Sequence, residues 1–88
     1  MTEVRLEDNA LTVSGHAGAG EYGSDVVCAA LSILMYTARA IPGAAASEAD
    51  GFCAVKVPRK SRRELLTVAR GFRLLARAYP EYVRMAES

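Results

Sequence analysis

His16, the single histidine of the chain, and Cys28, one of two cysteines, flank a glycine-rich stretch within GHAGAGEYGSDVVCAAL, residues 15–31. An imidazole that reaches a thiol makes a nucleophile with its own proton carrier, the pairing used in covalent acyl transfer. Asp25 stands three residues before Cys28. A carboxylate there suits either of two tasks, orienting the imidazole or stabilising the first turn of a helix. The same stretch also contains a G-x-G-x-x-G, Gly18 to Gly23. A dinucleotide site needs a βαβ unit with a parallel crossover, and Glu21 would set a carboxylate against the pyrophosphate. A P-loop fares worse, because Glu21–Tyr22 stands where Lys–Ser/Thr must follow the last glycine. A zinc site built from His16, Cys28 and Cys53 lacks the paired ligand spacing of such sites. The reading therefore expects no metal and no cofactor. Its competitor is plain packing, since cysteine is among the residues most often buried. Spacing alone leaves that choice open.

The elements that must position these residues follow from hydrophobic period. Val4 and Leu6 alternate with Arg5 and Glu7, and Leu11 and Val13 with Thr12 and Ser14, which predicts two strands joined at Asp8–Asn9. Gly15 to Gly23 reads as a flexible loop, with freedom at Gly18, Gly20 and Gly23. Gly23 or Ser24 is expected to cap a helix carrying the stripe Val27, Leu31, Leu34, Ala38, Ile41, ended by Pro42–Gly43. That start puts Cys28 in about the first turn, where the helix end favours a thiolate. Ala44–Ala49 is a weak strand, Asp50–Gly51 a hairpin turn, and Cys53, Val55 and Val57 share one face of the returning strand. The stripe Leu65, Ala69, Phe72, Ala76, Tyr79 predicts a second helix from Ser61 that stops before Pro80. The expectation is an α+β fold, β-β-α-β-β-α, with two helices packed on one face of an antiparallel four-stranded sheet.

Eighty-eight residues fit one domain, 1–88, with a modest core. The chain has no basic leader followed by an apolar segment and no apolar run of about 18 residues, so neither secretion nor a membrane span is expected. A cytoplasmic setting follows, with both cysteines as free thiols. Charge is lopsided. Residues 1–55 hold seven acids and two bases, residues 56–88 nine bases and three acids, a net −5 followed by a net +6. The two halves can attract each other, or the basic half can face a partner. Arg62, Arg70, Arg73 and Arg77 fall within about 80° on the second helix, a face able to contact RNA phosphates. No aromatic residues interleave it to stack bases.

Gly15-His16-Ala17, then Asp25-Val26-Val27-Cys28-Ala29-Ala30-Leu31-Ser32 at a fixed separation, resembles the ribosomal-processing cysteine protease family, Prp or YsxB-like. The likeness continues through Asp50–Gly51 and Tyr79–Pro80 and is thinnest over the alanine-rich residues 42–49. It implies a small homodimeric enzyme that removes the N-terminal extension of large-subunit ribosomal protein twenty-seven. By that resemblance Cys28 is the nucleophile and His16 the general acid and base. Gly15, Asp25 and Ser32 match the motif in supporting roles, the glycine loop is a lid over bound peptide, and Cys53 belongs to the core. The alternative is a non-enzymatic ribosome-assembly or RNA-binding module using the arginine face.

Overall fold

The computed structural model describes residues 1–15 and 22–87, with the backbone alone for 22–25 and 87. The strand β1 (Thr2–Glu7) turns at Asp8–Asn9 into β2 (Ala10–Ser14). After the undescribed residues come α1 (Tyr22–Arg39), the hairpin β3 (Ala45–Ala49) and β4 (Phe52–Lys56), a 3-10 turn at Arg59–Ser61, α2 (Arg62–Ala78) and β5 (Val83–Glu87). The strands form one mixed sheet in the order β3-β4-β2-β1-β5.

Alternation along the strands splits the sheet into two faces. Val4 and Leu6 of β1, Leu11 of β2, Val55 of β4 and Val83 of β5 are buried in the same core as Val27, Leu31, Met35 and Ala38 of α1 and Leu65, Ala69 and Phe72 of α2. Both helices thus cover one face, while Glu7, Lys56 and Arg84 point to water from the other. The helices meet closely at Gly71, where a Cβ would stand 2.5 Å from a methyl of Leu34. Part of the charge lopsidedness is answered within the fold. Arg59 reaches the Asp8 carboxylate at 2.7 and 3.3 Å, Arg62 approaches it at 3.8 Å, and Arg84 pairs with Glu3. Arg84, then Arg5, hold the Glu3 carboxyl below the usual carboxylate range. Asn9, buried in the first turn, donates from Nδ2 to the carbonyl of Val57 at 2.6 Å, and Val57 N–H returns a bond to Asn9 O at 2.9 Å.

Three expectations need correction. The sheet has five strands and is mixed, because β5 runs parallel to β1 and pairs Thr2 with Val83 through to Leu6 with Glu87. Its signal, Val83 and Met85 alternating with Arg84, is only five residues long and follows Pro80, which reads as a stop rather than as a bend into a strand. Secondly, α1 starts at Tyr22, so Gly23 and Ser24 lie inside its first turn and neither caps it, nor is Gly23 in a loop. A helical glycine costs about 1 kcal/mol relative to alanine, which the long apolar stripe beyond it outweighs. Thirdly, the same start makes Cys28 the seventh residue of α1 rather than a first-turn one. The macrodipole acts mainly within the first turn, so the helix end contributes less to the thiolate than expected. Gly18 and Gly20 lie outside the described residues.

Candidate active site

Cys28 projects from α1 about 100° round from the buried Val27, and it is exposed. Ser32 is one turn further along the same flank, a rise of about 6 Å, and is also exposed. Asp25 is the fourth helical residue, so its backbone belongs to the first turn and it is not the cap. Gly15 ends β2 at φ +88°, a conformation that side chains with a Cβ rarely adopt, and its N–H donates to Gly51 O at 2.8 Å. A Cβ there would stand 2.5 Å from the carbonyl oxygen of Met1. Glycine is therefore required at this position on two counts, and it ties the exit of β2 to the β3–β4 turn. His16 follows directly and lies outside the described residues.

Beside the Cys28 flank of α1 the structure has a cleft of about 170 Å³. Its inner wall is Val13 of β2, Leu31 and Met35 of α1 and Cys53 of β4. Leu31 and Met35 are buried there, and Val13 and Cys53 half-buried. Ser32, Tyr36, Arg39 and Glu48 form the rim. Strand register explains the placement, since Val13 faces Cys53 and Cys53 faces Glu48 in one row across β2, β4 and β3. That row is two residues from Gly15, roughly 7 Å along the strand. At the rim Arg39 pairs with Glu48 and lies over the Tyr36 ring at 5.8 Å, so the last turn of α1 is fastened to the edge strand. Burial pushes the Cys53 thiol up from its ordinary value, the Glu48 carboxylate adds to this, and Arg39 offsets part of it. Its Sγ is 4.0 Å from Glu48 Oε1.

Of the residues singled out from sequence, Gly15, Cys28 and Ser32 sit at the sheet end and helix flank that border this cleft. Cys53, expected in the core, does pack against it but opens into the cleft. Arg39, Glu48, Met35 and Tyr36 were not anticipated. The alternation of Ala46 and Glu48 in β3 was the available signal, because an inward glutamate on an edge strand needs a partner. The arginine face is partly committed: Arg62 donates from Nε to Asp8 O at 3.1 Å, while Arg70, Arg73 and Arg77 surround exposed Leu74 in a separate shallow groove. No described helix is long and apolar enough to cross a membrane.

Two helices over a mixed sheet, with an exposed cysteine on the first helix, leave an accessible thiol beside a cleft in a small α+β fold. Residues 1–84 match the cysteine protease Prp family, and the chain belongs to it; it is a cysteine protease. The fold is shared with the essential ribosomal processing protease Prp from S. aureus in complex with a covalently linked product peptide, at TM-score 0.82 and 24% identity over 100% of both chains. The same protease with a substrate peptide gives TM-score 0.80 and 24% identity, again over 100% of each chain. SMU.848 from Streptococcus mutans follows at TM-score 0.71 and 25% identity, covering 98% of this chain and 90% of that one. No curated protein matches the chain significantly.

Proposed function

We propose that the chain is an endopeptidase that removes the N-terminal extension of large-subunit ribosomal protein twenty-seven, with Cys28 as nucleophile and His16 as general acid and base. The observation that carries this is the exposure of Cys28 on the cleft side of α1, in a chain of the Prp family whose other thiol is half-buried. The Cys28 thiolate attacks the scissile carbonyl carbon, and the electron pair moves to its oxygen. Collapse expels the amine, which takes its proton from the His16 imidazolium and leaves a thioester. Neutral His16 then takes a proton from water, whose oxygen displaces the sulfur to give the acid and restore the thiol. Because Cys28 is the seventh helical residue, its own N–H is committed to the helix ladder. The free donors for the oxyanion are those at the start of the helix, Tyr22 to Ser24. Gly15 holds the strand exit that leads to His16, and Ser32 lines the approach to the cleft. The working unit is a single domain, 1–88, acting as a homodimer in the cytoplasm where ribosomes are assembled.

The test is incubation of the host's ribosomal protein twenty-seven with wild-type protein and with Cys28→Ala, followed by mass measurement of the N-terminal fragment. Wild type releases one fragment and Cys28→Ala releases none while keeping its circular dichroism; cleavage by the variant refutes the mechanism. Exposed Arg70 and Arg77 favour a second reading, contact with RNA or the ribosome. RNA retention that falls steeply with salt and survives Cys28→Ala would support it.

A further inference from the structure

We propose that Arg63, Arg70 and Arg77, a stripe along the outward side of α2, dock the protein on the phosphate backbone of RNA without regard to base sequence. This rests on the RNA reading above and deepens it by naming the surface and the part of the strand it grips. The three arginines recur every seven residues. On a helix they therefore fall within about 40° of one another, in a line about 21 Å long. All three are exposed. Among the described residues, none of the three has an ion pair or a side-chain hydrogen bond. Arg59 and Arg62, at the foot of the helix, are spent on Asp8. Arg63 rather than Arg62 therefore begins the stripe.

Charge selects the occupant. Between Arg62 and Ala78 the one acid is Glu64, which lies on another flank in a groove with Thr37 and Ile41. The stripe is thus cationic throughout, and a groove of about 260 Å³ runs beside it, lined by Arg70, Arg73, Leu74 and Arg77. A second copy offers nothing to match it. Glu3, Glu7, Asp8 and Glu48 already face arginines of their own chain. The other acids with described side chains are dispersed, Asp50 in a hairpin turn, Glu64 at the head of α2 and Glu81 beyond its end. A lipid surface suits it no better, because an interfacial helix needs an apolar face to sink. That face of α2 is in the core with Leu65, Ala69 and Phe72, and Leu74 is the one large apolar side chain on the stripe. A phosphodiester strand supplies repeated negative charge, and guanidinium groups bind phosphate oxygens in bidentate pairs. RNA is the strand at hand in the ribosomal setting proposed above. The stripe has no aromatic side chain to stack a base, so it holds the backbone alone.

The test is fluorescence anisotropy of labelled oligouridine titrated with Cys28→Ala protein over a range of salt, which reads affinity and phosphate contacts apart from cleavage. Arg63→Gln, Arg70→Gln and Arg77→Gln together keep good helix formers in place, and circular dichroism checks the fold. Each lost contact lowers the slope of log K against log salt by about 0.7 for a single strand. The stripe variant should therefore lose about 2 from the slope and bind about a hundredfold more weakly at about 0.1 M salt. The matched loss of charge on the open sheet face, Arg5→Gln, Lys56→Gln and Arg84→Gln together, should do much less. Oligoadenosine should bind as oligouridine does. An unchanged slope in the stripe variant, equal weakening by both sets, or a strong base preference overturns the stripe and leaves the RNA reading standing. Oligoglutamate that displaces the labelled strand as well as unlabelled oligouridine does overturns it in favour of an acidic protein. Failure of the protein with its arginines intact to bind either oligonucleotide removes the RNA reading and the stripe with it.

Discussion

Gly15→Ala tests the link between sheet geometry and the site most directly. The residue sits at φ +88°, and placing a Cβ residue in left-handed backbone costs about 1–2 kcal/mol. The new Cβ would also stand 2.5 Å from the Met1 carbonyl oxygen. Met1 must withdraw, straining the neighbouring Thr2 N–H bond to Tyr82 O at 2.8 Å, and a lost hydrogen bond is worth about 1 kcal/mol. The sum is about 2–3 kcal/mol, against a total stability of roughly 4–13 kcal/mol for a chain this size. Thermal unfolding followed by circular dichroism should therefore show Tm lowered by about 8–24 °C. Gly71→Ala is the control. Its close neighbour is a movable methyl of Leu34 and its φ is not positive, and alanine gains about 1 kcal/mol in a helix, so the net change should be small. A Gly15→Ala variant melting within about 2 °C of wild type, or a larger loss in Gly71→Ala, would refute the reasoning. Because His16 follows directly, Gly15→Ala should also lose peptide cleavage at temperatures where it remains folded.

Asn9→Ala removes a buried amide and leaves the Val57 carbonyl short of a donor, so denaturant unfolding should show a loss of about 1–3 kcal/mol; an unchanged midpoint would contradict that role. Iodoacetamide should label exposed Cys28 well before half-buried Cys53, and peptide mapping of early time points showing the reverse order would count against Cys28 as the accessible nucleophile. The raised Cys53 pKa means the folded state holds that proton more tightly than the unfolded chain. Its contribution is then fully present below the unfolded thiol pKa and lost as pH rises through the folded one. The stability difference between wild type and Cys53→Ala should shift against wild type on going from neutral to alkaline pH, and a shift the other way would contradict the assignment.

Much of the fold was legible because the signals were local. Val4 and Leu6, Leu11 and Val13, and Cys53 and Val55 alternate in strands, and Val27, Leu31 and Ala38 recur in a helix, so each announces its element unaided. The Asp50–Gly51 turn did likewise. What escaped were features set by distant partners. Residues 83–87 become a strand only because β1 offers an open edge eighty residues earlier, and the start of α1 at Tyr22 is invisible in a glycine-rich run. At the site, residue type and spacing pointed to Cys28, and the family resemblance added Gly15 and Ser32, but the cleft could not be read in either way. It exists because β-register aligns Val13, Cys53 and Glu48 across three strands and because Arg39 closes over them, relations that no short window contains.

The parallel pairing of β1 with β5 has a consequence for how the molecule is made. β1 leaves the ribosome well before its second neighbour, so during synthesis one side of Thr2–Glu7 stays bare until Val83–Glu87 emerges. An uncovered strand edge invites other chains. A stall or premature stop before Val83–Glu87 would thus release a polypeptide whose β1 margin stays sticky.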